Sequence, residues 1–116
     1  MAASAGAAYA EVIGDPIAHS KSPLIHKFWL AKLGLEGDYR ATRVAADGLA
    51  AYFGECRTQG DWRGCNVTVP HKQAVIALLD RLSERAREVG AVNTIVASDG
   101  ALAGDNTDVG GILDAL

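Results

Sequence analysis

Short apolar runs alternate along this chain with stretches of helical spacing, and Gly, Pro or Ser marks most of the changes. Tyr9–Gly14 is the first such run, broken by Gly14-Asp15-Pro16. Ser22 followed by Pro23 opens a helix, with a hydroxyl N-cap and a proline where a missing N–H has no partner to lose. Leu24, Ile25, Phe28, Trp29 and Leu33 then recur on one face until Gly34. A second strand is expected over residues 38–44. A helix capped by Asp47 follows, carrying Leu49, Phe53 and Cys56 on one face. A third strand is expected over 63–69, then a helix over 70–79, then a short helix capped by Ser83 and stopped by Gly90. Residues 91–97 read as a strand, Ser98-Asp99-Gly100 as a tight turn, and 101–104 as the return strand. Thr107 caps a last helix with Ile112, Leu113 and Leu116. This alternation predicts an α/β three-layer sandwich, with a mostly parallel sheet, one antiparallel strand and helices on both faces.

The 116 residues suffice for one domain and not comfortably for two. Residues 1–8, Ala-rich and uncharged, are expected to form a flexible tail, and 9–116 the domain. The net charge of -3 and the scattered Lys and Arg exclude a nucleic-acid surface. No stretch approaches the apolar length of a membrane span. Cys56 and Cys65 show no metal or redox spacing, and Cys65 reads as a buried free thiol in a strand. A reducing, cytoplasmic setting fits. His19, His26 and His71 share no ligand spacing, so no metal site is expected.

The segment Gly64-Cys65-Asn66-Val67-Thr68-Val69-Pro70-His71-Lys72 is the most chemically suggestive. With Pro70 at the first helical position, Lys72 falls in the first turn. The positive end of the helix dipole there disfavours a protonated ammonium. Such a lysine is a candidate general acid or base. In an open α/β sheet, ligands bind beyond the carboxyl ends of the strands. Polar clusters fall at those places: Ser20 and Ser22; Asn66, Thr68 and Lys72; Asn93; and Asn106, Thr107 and Asp108. Hydroxyls, amides, one lysine and one carboxylate suit a small polyhydroxylated ligand. Asp108 and Lys72 form a candidate charge-coupled pair. No G-x-G-x-x-G follows a strand, so the dinucleotide fingerprint is absent.

Four motifs in order resemble the substrate-binding domain of the shikimate dehydrogenase family. They are Gly14-Asp15-Pro16-Ile17-Ala18-His19-Ser20-Lys21-Ser22-Pro23-Leu24-Ile25-His26, then Asn66-Val67-Thr68-Val69-Pro70-His71-Lys72, then Gly90-Ala91-Val92-Asn93-Thr94, and Gly104-Asp105-Asn106-Thr107-Asp108. The resemblance implies reversible, NADP-dependent reduction of 3-dehydroshikimate to shikimate, on the route to chorismate and the aromatic amino acids. It implies that Ser20 and Ser22 hold the substrate carboxylate and that Thr68, Asn93 and Asp108 bond ring hydroxyls. Lys72, paired with Asp108, would be the acid/base. It also implies that NADP(H) is bound mainly by a Rossmann domain absent from this chain. The expectation is therefore a substrate-binding domain without turnover alone, and a possible homodimer. Lys27, His71 and Val109 depart from the usual motifs. A quinate/shikimate dehydrogenase and a non-catalytic shikimate- or quinate-sensing module are the rival readings.

Overall fold

The computed structural model describes residues 8–15, 29–31, 33, 37–68, 70–98 and 100–106. Within them, β1 (Tyr9–Gly14), β2 (Asp38–Arg43), β3 (Trp62–Val67), β4 (Arg81–Leu82), β5 (Thr94–Ser98) and β6 (Ala101–Asp105) form one sheet in the order β2-β1-β3-β5-β6-β4. β1 pairs in parallel with β2 and β3, and β4 in parallel with β6. β5 runs antiparallel to both of its neighbours, β3 and β6. The expected single antiparallel strand is therefore β5, the first arm of the hairpin.

Alternation along the strands sends successive side chains to opposite faces. Helix α1 (Leu49–Cys56) covers the face of Glu11 and Cys65, burying Leu49, Phe53 and Cys56 as their spacing predicts. Its Tyr52 hydroxyl donates to Glu11 Oε2. Phe53 meets Trp62 edge-on at 6.4 Å between ring centroids. The helical residues 29–31 and 33 lie over the other face, where Trp29 crosses above Gly64. Helices thus cover both faces. Ile13, Cys65, Val75, Val92 and Ile95 are fully buried between the layers. Cys56 and Cys65 are both free and buried, and burial pushes the Cys56 thiol up to about 12.

Helix α2 (Glu84–Val89) begins and ends where the sequence indicates. Ser83 Oγ accepts from the Ala86 N–H at 3.1 Å, and Gly90 closes the helix in the left-handed region at φ 78°. Asp47, by contrast, does not cap α1. It lies in a 3-10 turn (Ala46–Gly48), and Gly48 is the N-cap without a side-chain bond. The helix expected over 70–79 is also replaced. Residues 70–73 are turn and loop, and a short 3-10 helix (Ala74–Leu78) follows. The cause lies in the carbonyl of Lys72. It accepts the Val92 N–H at 2.8 Å, so the Ile76 N–H turns to Gln73 O at 3.2 Å. That i→i−3 bond is the tighter 3-10 pattern. The chain then forms β4, which no apolar alternation announces. The tail at residues 1–7, the helix start at Ser22-Pro23 and the last helix from Thr107 lie outside the described residues.

Candidate functional site

Because β5 is reversed, its beginning lies beside the ends of β3 and β6. Asn66 is in register with Thr94, and Thr94 with Asp105. One edge of the sheet therefore collects the residues that follow β3 and β6 and those that precede β5. The Thr68 N–H donates to Ile13 O at 2.9 Å, which holds Thr68 just past the ends of β1 and β3. The Asn93 N–H donates to Asp105 O at 3.0 Å, and Asn93 O accepts the Val67 N–H at 2.8 Å. Lys72 is tied to the same place through the Val92 bond. Thr68, Lys72 and Asn93 thus meet at one edge, as the sequence predicts for their motifs. Asn106 joins them, its Nδ2 donating to Ala91 O at 3.2 Å. Ser20, Ser22, Thr107 and Asp108 lie outside the described residues.

The placement of Lys72 differs from its sequence rationale. No α-helix starts at Pro70, so no dipole of that kind acts on the ammonium. Its backbone is fixed by neighbours instead. His71 is fully buried, and its Nε2 lies 2.5 Å from Val44 O. A carbonyl only accepts, so Nε2 carries the proton. Nδ1 has no hydrogen-bond partner among the described residues. The His71 N–H donates to Thr68 O at 3.0 Å, closing the turn between the two candidate residues.

Behind Asn93 lies a buried polar network. Asn66 Oδ1 accepts from Trp29 Nε1 at 2.5 Å and from the Tyr39 hydroxyl at 2.8 Å. Asn66 Nδ2 donates to Asn93 O at 3.3 Å and to Thr94 Oγ1 at 3.2 Å. Thr94 Oγ1 donates to Asn93 Oδ1 at 2.9 Å. Tyr39 carries no sequence signal for this role, because a tyrosine in a half-exposed strand reads as ordinary β-propensity.

Asp105, inside the last motif, has a structural partner set. Its Oδ1 accepts from Arg85 Nε at 2.8 Å and Ser83 Oγ at 2.6 Å, and its Oδ2 from Arg85 Nη2 at 2.7 Å. The bidentate guanidinium, before the serine bond, holds this carboxyl well below the usual carboxylate range. A depressed folded pKa stabilises the fold above the unfolded value of about 4, and that stability is lost as the pH falls through the folded value. Arg85→Ala is therefore expected to lower stability at pH 7, by no more than about 1 kcal/mol for a half-exposed pair. The gap should close in strong acid. Urea midpoints at pH 7 and below pH 3 measure it.

Among the described residues, no three metal-ligating side chains gather, and no helix is long and apolar enough to cross a membrane. Directly after β1, Asp15 Oδ1 accepts from Arg43 Nε at 2.8 Å.

Comparison with known proteins gives a consistent result. The family model for the shikimate dehydrogenase substrate binding domain matches residues 12–95. A shikimate dehydrogenase (NADP(+)) of Sphingopyxis alaskensis is 59% identical over 109 residues, which is 93% of this chain and 40% of that protein. Shikimate 5-dehydrogenase of Thermus thermophilus, solved with NADP(H) and shikimate, superposes with a TM-score of 0.80 at 44% identity. The match covers 94% of this chain and 41% of that one. The 5-ketofructose reductase of a Gluconobacter species superposes equally well, at 0.80, with 32% identity over 94% of this chain and 39% of that one. The chain thus spans about 40% of the length of these relatives.

Proposed function

The chain belongs to the shikimate dehydrogenase family, through its substrate binding domain, and from that premise we propose that it binds shikimate and 3-dehydroshikimate and manages the proton of their interconversion. The observation that carries this reading is the meeting of Thr68, Lys72 and Asn93 at one sheet edge, each tied there by main-chain bonds. Reducing a ring ketone requires a proton at the oxygen as hydride reaches the carbon. Lys72 is the proton donor in this proposal, and returns to a base in the oxidation of shikimate. Asp108 pairs with Lys72 and orients it. Thr68, Asn93 and Asp108 bond ring hydroxyls, and Ser20 with Ser22 receives the carboxylate.

We propose that NADP(H), which the relatives' names carry, is held by a unit outside residues 9–116, in keeping with the 40% of their length that this chain spans. The isolated chain then binds substrate and does not turn it over. Cytoplasmic residence and placement in aromatic amino-acid biosynthesis follow in the same proposal. A homodimer remains part of it on the resemblance alone.

Calorimetric titration with shikimate tests the reading, with quinate for comparison and Asp108→Ala as control. Saturable shikimate binding that Asp108→Ala removes supports it. Binding that is unchanged in Asp108→Ala refutes the assignment of that residue. A second reading is favoured by one match, the 5-ketofructose reductase, in which this fold serves an enzyme named for a sugar ketone. Tighter binding of 5-ketofructose than of shikimate would select that reading.

A further inference from the structure

The contacts behind Asn93 fix more than its position. The two ends of the Asn66 amide are told apart by partners of a single polarity. Trp29 Nε1–H can only donate, and it meets Oδ1. The Asn93 carbonyl can only accept, and it meets Nδ2. Turning the Asn66 amide over would set donor against donor at one end and acceptor against acceptor at the other. With Asn66 so fixed, its Nδ2 also donates to Thr94 Oγ1 and occupies a lone pair there. The Thr94 hydroxyl proton is directed onward to Asn93 Oδ1. Trp29, Asn66, Asn93 and Thr94 are all buried, so water does not compete along the chain of bonds.

On the reading that Asn93 contacts substrate, we propose that Trp29, Asn66 and Thr94 are positioning residues that set the polarity of Asn93. Its oxygen is turned to Thr94, and its Nδ2 is the end directed toward the ligand. Asn93 then acts as a hydrogen-bond donor, and this part of the site selects a ligand oxygen that accepts. The relay also explains why a threonine follows Asn93. A valine of the same shape would pass no proton direction to the amide.

Two measurements test this and separate it from the functional reading. In the ligand-free chain, the side-chain amide NMR signals of Asn66 and Asn93 are expected to shift in Thr94→Val. They should hold their places in Thr94→Ser, which keeps the hydroxyl. In shikimate titrations, Asn93→Asp keeps an oxygen for Thr94 but replaces the donor with an acceptor. It should weaken binding at least about tenfold, and no less than Asn93→Ala does. Because that variant retains the Thr94 contact, it is informative even if Thr94→Val does not fold. Thr94→Val should weaken binding severalfold with Asn93 present and within about twofold once residue 93 is alanine, and Thr94→Ser should restore it. Unchanged affinity in Asn93→Asp, or equal loss from Thr94→Val in both backgrounds, overturns the proposal. Amide signals that respond as expected in a chain that binds no shikimate would remove the functional reading and leave the orientation of Asn93 standing.

Discussion

Lys72→Ala, placed in a form of the protein that carries a cofactor-binding unit, is expected to lower kcat by about 10²- to 10⁴-fold, the usual contribution of a positioned acid or base. The dissociation constant for shikimate should change by less than about threefold. The asymmetry follows from what the substitution removes. Lys72 is held by its main chain: its carbonyl accepts the Val92 N–H, and its neighbour His71 is buried against Val44 O. Alanine keeps those bonds, so Thr68 and Asn93 stay where they are. Only the ammonium and its stem are lost. Steady-state kinetics with a separate binding titration measure both quantities. Equal losses in kcat and in binding would make Lys72 a binding group and remove it from the chemistry.

Gly64→Ala is expected to be the most damaging small substitution in the described sheet. Gly64 has φ 142°, a conformation that side-chain-bearing residues rarely adopt. An added Cβ would lie 2.1 Å from Ile95 O and 2.7 Å from Trp29 Cη2. The first clash is with backbone on the paired strand, so no rotamer relieves it. Either β3 and β5 separate or Trp29 leaves its place. The expected loss is about 3 kcal/mol or more, lowering Tm by more than about 10 °C for a chain of this size. Thermal denaturation followed by circular dichroism checks it. A shift of under about 3 °C would show that the strand pair relaxes freely. Affinity should fall as well, because the β3–β5 register is what brings Asn66 beside Thr94 and Asn93.

The comparison between sequence and fold divides by the range of the interactions. Ser83 and Gly90 are legible because capping is local: one hydroxyl satisfies one N–H three residues on, and one glycine accepts a left-handed turn. The burial of Leu49, Phe53 and Cys56 is legible from spacing, whereas the start of their helix is not. An aspartate before an apolar stretch resembles a cap whether or not the preceding turn is 3-10. The segment after Pro70 fails for a non-local reason, since Val92 takes a carbonyl that a regular helix would need. The candidate site was legible as a set of motifs, and Thr68, Lys72 and Asn93 do converge. The polarity of Asn93 was not legible. Its proposed setting depends on Trp29, which holds the Asn66 amide and is remote in sequence and ordinary in pattern.

The place of β1 has a consequence for how the chain acquires its fold. β1, the first of the described strands in chain order, sits inside the sheet, between β2 and β3. Tyr9 cannot complete its pairing until Asp38 and then Trp62 have been made. The β5–β6 hairpin needs only the turn between Ser98 and Ala101, so it closes quickly once translated. Emerging from the ribosome, β1 therefore waits as an unpaired apolar segment, exposed to chaperones and to other nascent chains. Mutations in β1 should therefore act on folding yield before they act on the finished site.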